Sequence, residues 1–164
     1  MSLSADGWSA IAAVASCVTA FASLAISFKA MRFQANSLMV ERENRLYETL
    51  SSEAARANNY VGSSPPDEWS FNDLANVSNS MYHARERIED FCKVYPSSDK
   101  DKYKSYFKYQ LHHSITTEMN APCGPEEFLL AFPDSEAESR VIDNWHSNQR
   151  YFDYSFIDAS DLDD

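Results

Sequence analysis

GWSAIAAVASCVTAFASLAISF, residues Gly7–Phe28, carries no charged side chain over 22 positions. At about 1.5 Å per residue, a helix of that length rises about 33 Å, enough to cross a hydrocarbon core about 30 Å thick. A cleavable secretory signal opens on a basic segment. Here the only charge ahead of the run is Asp6, whereas Lys29 and Arg32 follow it closely. Basic residues stay on the cytoplasmic side of a span. The expected topology therefore puts residues 1–7 outside, a transmembrane helix at 8–28, and everything after it in the cytoplasm. Trp8 at one end, with Phe28 and Phe33 at the other, are placed for the two membrane interfaces.

The run has two unlike faces. Ser9, Ala13, Ser16, Ala20, Ser23, Ser27 and Ala30 recur in steps of four and three, which keeps them on one side of a helix. Ile11, Val14, Val18, Phe21, Ala25 and Phe28 fall roughly opposite. Small residues let helix backbones approach closely in lipid, and hydroxyls hydrogen-bond across the contact. The seam predicts a membrane helix–helix interface, either with a second copy or with a partner's span. A Ser-lined pore is a narrower version of the same expectation.

Outward from this segment, composition excludes much. There are only three glycines in 164 residues, Gly7, Gly62 and Gly124, where ordinary usage near 7% gives about eleven. No glycine-rich phosphate loop is present, and glycine-dependent hairpins are scarce, so the predicted fold class is all-α. Net charge is −11, which opposes non-specific nucleic-acid binding and favours protein or cationic partners. Cys17, Cys92 and Cys123 form no CxxC and are odd in number, so no disulfide framework is expected.

The opening, Trp8-Ser9-Ala10-Ile11-Ala12 leading an apolar helix and then Lys29, Arg32 and Gln34, resembles small uncharacterised bacterial proteins with one N-terminal span and a cytoplasmic helical region. The resemblance covers about the first 40 residues. It implies a bacterial inner-membrane protein and no particular reaction.

No glycine or proline lies between Trp8 and Val61, so the helix is expected to continue as a stalk over 29–61, with a break near Arg32–Ser37. Met39, Leu46, Leu50, Ala54, Ala57 and Val61 give that stalk an apolar face, and Gly62 with Pro65 and Pro66 ends it at the clearest expected domain boundary. A helical domain follows over 67–148. Ser70 and Asp73 read as a capping box, opening a helix with Leu74, Val77, Met81, Ala84, Ile88 and Phe91 on one core or docking face. Ser97–Asp101 supply caps for a third helix bearing Tyr103, Tyr106, Phe107, Leu111, Ile115 and Met119. Its Lys100, Lys102, Lys104 and Lys108 form the one basic cluster. After a Pro122–Pro125 turn, a short helix is expected around Glu126–Ala131. Ser135 and Glu138 cap a last helix with Val141, Ile142 and Trp145. Residues 149–164 read as an acidic aromatic tail with five aspartates, either frayed or docking a partner through Tyr151, Phe152, Tyr154 and Phe156.

Catalytic signatures are sparse. No residue is assigned a catalytic role, and neither a metal nor another cofactor is expected. Arg140 and His146 match the Arg-x(4–6)-His spacing of HEPN-type helical ribonucleases, in which arginine would steady phosphate charge and histidine would move a proton. With eight arginines and four histidines the spacing arises easily by chance, and the position after the arginine is the apolar Val141. The sequence thus predicts a membrane-anchored, non-catalytic helical interaction protein. A membrane effector, an accessory subunit, or an immunity protein of a bacterial defence or toxin system fits that description. The partners expected are the membrane, a second copy or partner membrane protein, and a cytoplasmic protein. Two alternatives are the ribonuclease and a soluble helical-bundle binding protein whose first helix is core.

Overall fold

The computed structural model describes residues 5–62, 64–121 and 136–154. Among them are five α-helices and no strand: α1 (Ala5–Val61), α2 (Phe71–Val94), α3 (Lys100–Gln110), α4 (His113–Met119) and α5 (Glu136–Tyr151), with a 3-10 turn at Pro66–Glu68. The all-α fold with a long N-terminal helix is as the sequence predicts. The expected break near Arg32–Ser37 does not occur. No proline or glycine interrupts the i→i−4 ladder there, and α1 runs straight through.

The chain divides into two units at Glu43/Asn44, not at Gly62. The reason lies in the apolar face of the expected stalk. Leu46, Leu50, Ala54, Ala57 and Val61 are all buried, so this part of α1 is a core helix of the second unit and not a free stalk. Gly62 only ends the helix. Its φ of +56° is the left-handed cap conformation, and its N–H donates to Asn58 O at 2.8 Å.

The first unit, by itself, is the single helical stretch up to Glu43. None of its most apolar 18-residue window is buried, and the helix is long and apolar enough to cross a membrane. Side chains as large as Phe21 and Leu24 stand 74% and 67% exposed.

The second unit, Asn44–Asp164, is a small helical bundle as far as it is described. α2 is its central helix and packs against both α3 and α5. The capping box is present: Ser70 Oγ accepts from Asp73 N–H at 3.2 Å and Ser70 N–H donates to Asp73 Oδ2 at 2.9 Å. The face read from the sequence (Leu74, Val77, Met81, Ile88, Phe91) is buried in this unit's core. Asp99 caps α3 by accepting from the N–H groups of Asp101 and Lys102.

The single third helix is in fact two. α3 ends at Gln110, Leu111 and His112 are extended, and α4 starts at His113. The Asn58 side chain fills the gap: its Nδ2 donates to Gln110 O at 2.8 Å, and its Oδ1 accepts from His112 N–H at 2.7 Å. One amide thus satisfies two backbone groups that a continuous helix would have paired internally. His112 then caps α4, with its Nδ1 accepting from Ser114 N–H at 3.3 Å. At about 0.5–1.5 kcal/mol per hydrogen bond, Asn58→Ala is expected to cost about 1–3 kcal/mol. A denaturant titration that finds no change in midpoint would show the break to be held by other contacts.

α5 also runs further than predicted. Gln149, Phe152 and Tyr154 are buried, so the expected tail boundary at residue 149 cuts through the bundle core. The Pro122–Pro125 turn with Cys123 and Gly124, the short helix at 126–131, the caps Ser135 and Glu138, and Phe156 lie outside the described residues or side chains.

Candidate interaction surfaces

Two surfaces emerge, one in each unit. On the first, all seven seam residues from Ser9 to Ala30 are exposed, and so is the bulky face opposite. Two hydroxyls of the apolar run are satisfied locally. Ser16 Oγ donates to Ala12 O at 2.9 Å and Thr19 Oγ1 to Ala15 O at 2.8 Å. A hydroxyl bonded back to its own helix does not need water, which lowers its cost in lipid. Where the apolar run ends, the Arg32 guanidinium lies 4.7 Å from the Phe28 ring centroid. A cation held over an aromatic ring one turn back is a geometry suited to a membrane–water interface.

On the second surface, the α3 lysines meet the C-terminal end of α5. Lys104 Nζ is 2.9 Å from Asp153 Oδ2, and Lys108 Nζ donates to Asp153 O at 3.4 Å. Lys100 and Lys104 sit 4.7 and 5.1 Å from the Tyr151 ring centroid, and Lys108 sits 4.3 Å from that of Tyr154. Arg85 of α2 joins them, 5.0 Å from the Tyr151 ring, while donating to Ser147 Oγ at 2.6 Å. Beneath, Phe152 packs on Phe107 with ring centroids 5.0 Å apart, both rings fully buried. Asp153 is exposed, so the Lys104 pair is screened and contributes no more than about 1 kcal/mol. Each ring–cation contact adds about 0.5–1 kcal/mol.

The backbone explains how three consecutive residues reach α3. Tyr154 N–H donates to Gln149 O at 3.0 Å and Asp153 N–H to Arg150 O at 3.4 Å, a Schellman cap with Asp153 in the left-handed position at φ 54°. That reversal turns Tyr154 back onto the bundle. The tail residues read as docking a partner, Tyr151, Phe152 and Tyr154, therefore dock on their own chain. The sequence shows both halves of this clamp, the lysines of α3 and the aromatic–aspartate run, but nothing local pairs them across about 50 residues.

Burial raises the Tyr154 and Tyr151 hydroxyl pKa values well above the ordinary tyrosine range; for Tyr151, nearby Glu89 adds to the effect. Neither hydroxyl has a hydrogen-bond partner among the described residues. The folded state holds these protons more tightly than the unfolded chain, so their contribution is complete below the ordinary tyrosine pKa of about 10 and is lost as pH rises above it. Between pH 9 and 12 the stability of wild type is expected to fall more steeply than that of Tyr154→Phe, with little difference at pH 7. Parallel curves from denaturant midpoints would contradict this.

The remaining chemical candidates are dispersed. Arg140 is exposed and His146 half-buried on α5. Six residues apart on a helix means about 9 Å along the axis and about 120° around it. Trp145, between them, is wholly buried. Burial also raises the Cys92 thiol pKa, the opposite of the lowering found at nucleophilic cysteines. Among the described residues no group of three or more His, Cys, Asp or Glu is placed to hold a metal ion. No known protein family matches the chain, and neither does any curated protein or any solved structure.

Proposed function

We propose that this chain is a membrane-anchored, non-catalytic interaction protein of the bacterial inner membrane, with its N-terminus outside and its bundle in the cytoplasm. One observation carries the reading: the most apolar window of α1 has none of its residues buried, while the later part of the same helix is core. A soluble protein would leave side chains such as Ile11, Val14, Val18, Phe21 and Leu24 in water along one helix, far more contiguous apolar surface than soluble monomers expose. In lipid that surface is at home. The polarity of Ser16 and Thr19 is offset by back-bonding to the helix.

In this reading the small-residue seam joins the span to a second copy or to a partner's span. The bundle recruits a cytoplasmic protein. A membrane effector, an accessory subunit, or an immunity protein of a defence or toxin system has this organisation, and the acidic charge suits a basic partner. The test is cysteine crosslinking in membranes, with Cys17, Cys92 and Cys123 replaced by Ser and single cysteines placed along the helix. Crosslinks are expected at Ala13, Ala20 and Ser27 and not at Val14 or Phe21. Uniformly monomeric protein, or crosslinks on the bulky face, would remove the seam from the account.

A further inference from the structure

The C-terminal clamp suggests a receptor as much as a stabilising contact. We infer that α3 bears a docking groove for an aromatic–aspartate–aromatic peptide, filled here in cis by Phe152, Asp153 and Tyr154 and exchangeable for the same motif on a partner protein. The chemistry of the groove is read from its present occupant. It offers an apolar wall at Phe107, a cation at Lys104 for a carboxylate, and a second cation at Lys108 above a ring. In a chain of net charge −11, α3 holds four of the six lysines, and three of them, Lys100, Lys104 and Lys108, lie over the Tyr151 or Tyr154 ring. An acidic aromatic segment is therefore what this face can recognise.

The occupant is complementary but poorly rewarded. Asp153 holds a left-handed φ of 54°, a conformation that side-chain-bearing residues rarely adopt. The Tyr151 and Tyr154 hydroxyls are buried without a hydrogen-bond partner among the described residues. The carboxylate on Lys104 is 69% exposed and so screened by solvent. These terms oppose the burial of Phe152 and lower the cost of opening Phe152–Tyr154 relative to opening the bundle. The inference concerns the bundle alone and does not depend on the span crossing a membrane.

The test uses full-length protein in detergent and a fluorescent peptide of residues 150–156, Arg-Tyr-Phe-Asp-Tyr-Ser-Phe, followed by anisotropy. Wild type is expected to bind it weakly because the groove is filled. Phe152→Ala, which vacates the groove, is expected to bind at least about 10-fold tighter, and adding Lys104→Glu should abolish the gain. A peptide with Asn for the Asp should bind Phe152→Ala up to about 5-fold more weakly, the loss that a solvent-screened pair allows. Equal weak binding by wild type and a cooperatively melting Phe152→Ala would overturn the proposal. Should Phe152→Ala fail to fold, hydrogen exchange of wild type decides. The Phe152 and Tyr154 amides, bonded to Asn148 O and Gln149 O, are expected to exchange at least about 100-fold faster than that of Met81. Equal protection would show that the segment opens only with the whole bundle and would overturn exchange. A dimer that the peptide dissolves would name a second copy as the occupant and overturn the partner assignment.

Discussion

Trp145→Ala is expected to cost the bundle about 3–5 kcal/mol, the range for deleting a large buried aromatic side chain. Trp145 is wholly buried and heads the largest side chains of the core, on the helix that α2 packs against. A small domain is stable by about 5–15 kcal/mol in total, so one substitution removes at least about a fifth of it. Trp145→Phe keeps an aromatic ring in the site and should lose less. The measurement is the denaturant midpoint of the detergent-solubilised chain. A shift worth under about 1 kcal/mol would mean that α5 is not integral to the core, and with it the placement of Phe152 and Tyr154 would fall.

The second large effect lies in the other unit. Val18→Arg places a charge near the middle of the apolar run, where insertion scales assign about 2.5–3.5 kcal/mol to a basic residue. The run is rich in alanine and serine, so its insertion margin is narrow and a penalty of that size should reduce insertion by at least about 10-fold. Ala20→Leu at the seam should leave insertion intact or improve it while weakening self-association, which separates the two properties. A reporter of translocon insertion measures the first. Unchanged insertion of Val18→Arg would show that the segment around residue 18 does not sit at bilayer depth.

How much of this was legible beforehand depends on the range of the interaction concerned. Local signals read well. The absence of glycine and proline from Trp8 to Val61 foretold helix continuing past the apolar run, though not that it would do so without a break near Arg32–Ser37, and Ser70 with Asp73 foretold the cap that starts α2. The three-and-four spacing of Leu74 through Phe91 picked out buried residues, since a helical period reports directly on which face meets the core. Long-range pairings were not legible. Leu46–Val61 looked like a stalk because an apolar face says that something covers it and not what. The split between α3 and α4 is written in Asn58, more than 50 residues upstream, through two hydrogen bonds that no local pattern announces. The α3 lysines read only as a basic cluster, yet Lys100, Lys104 and Lys108 close over Tyr151 and Tyr154. Of the surfaces themselves, the seam was visible because it is periodic within one helix. The clamp was not, because it joins two segments that only the tertiary fold brings together.

The proposed function rests on the proposed anchor, and alkaline carbonate extraction of the unmodified chain tests it most directly. Cells expressing the protein are lysed, the membranes are washed at high pH, and the fractions are floated through a density gradient. The account predicts that the full chain floats with lipid after the wash and leaves it only in detergent. Release into the aqueous fraction without detergent would contradict the account and return Ile11, Val18, Phe21 and their neighbours to the surface of a soluble assembly.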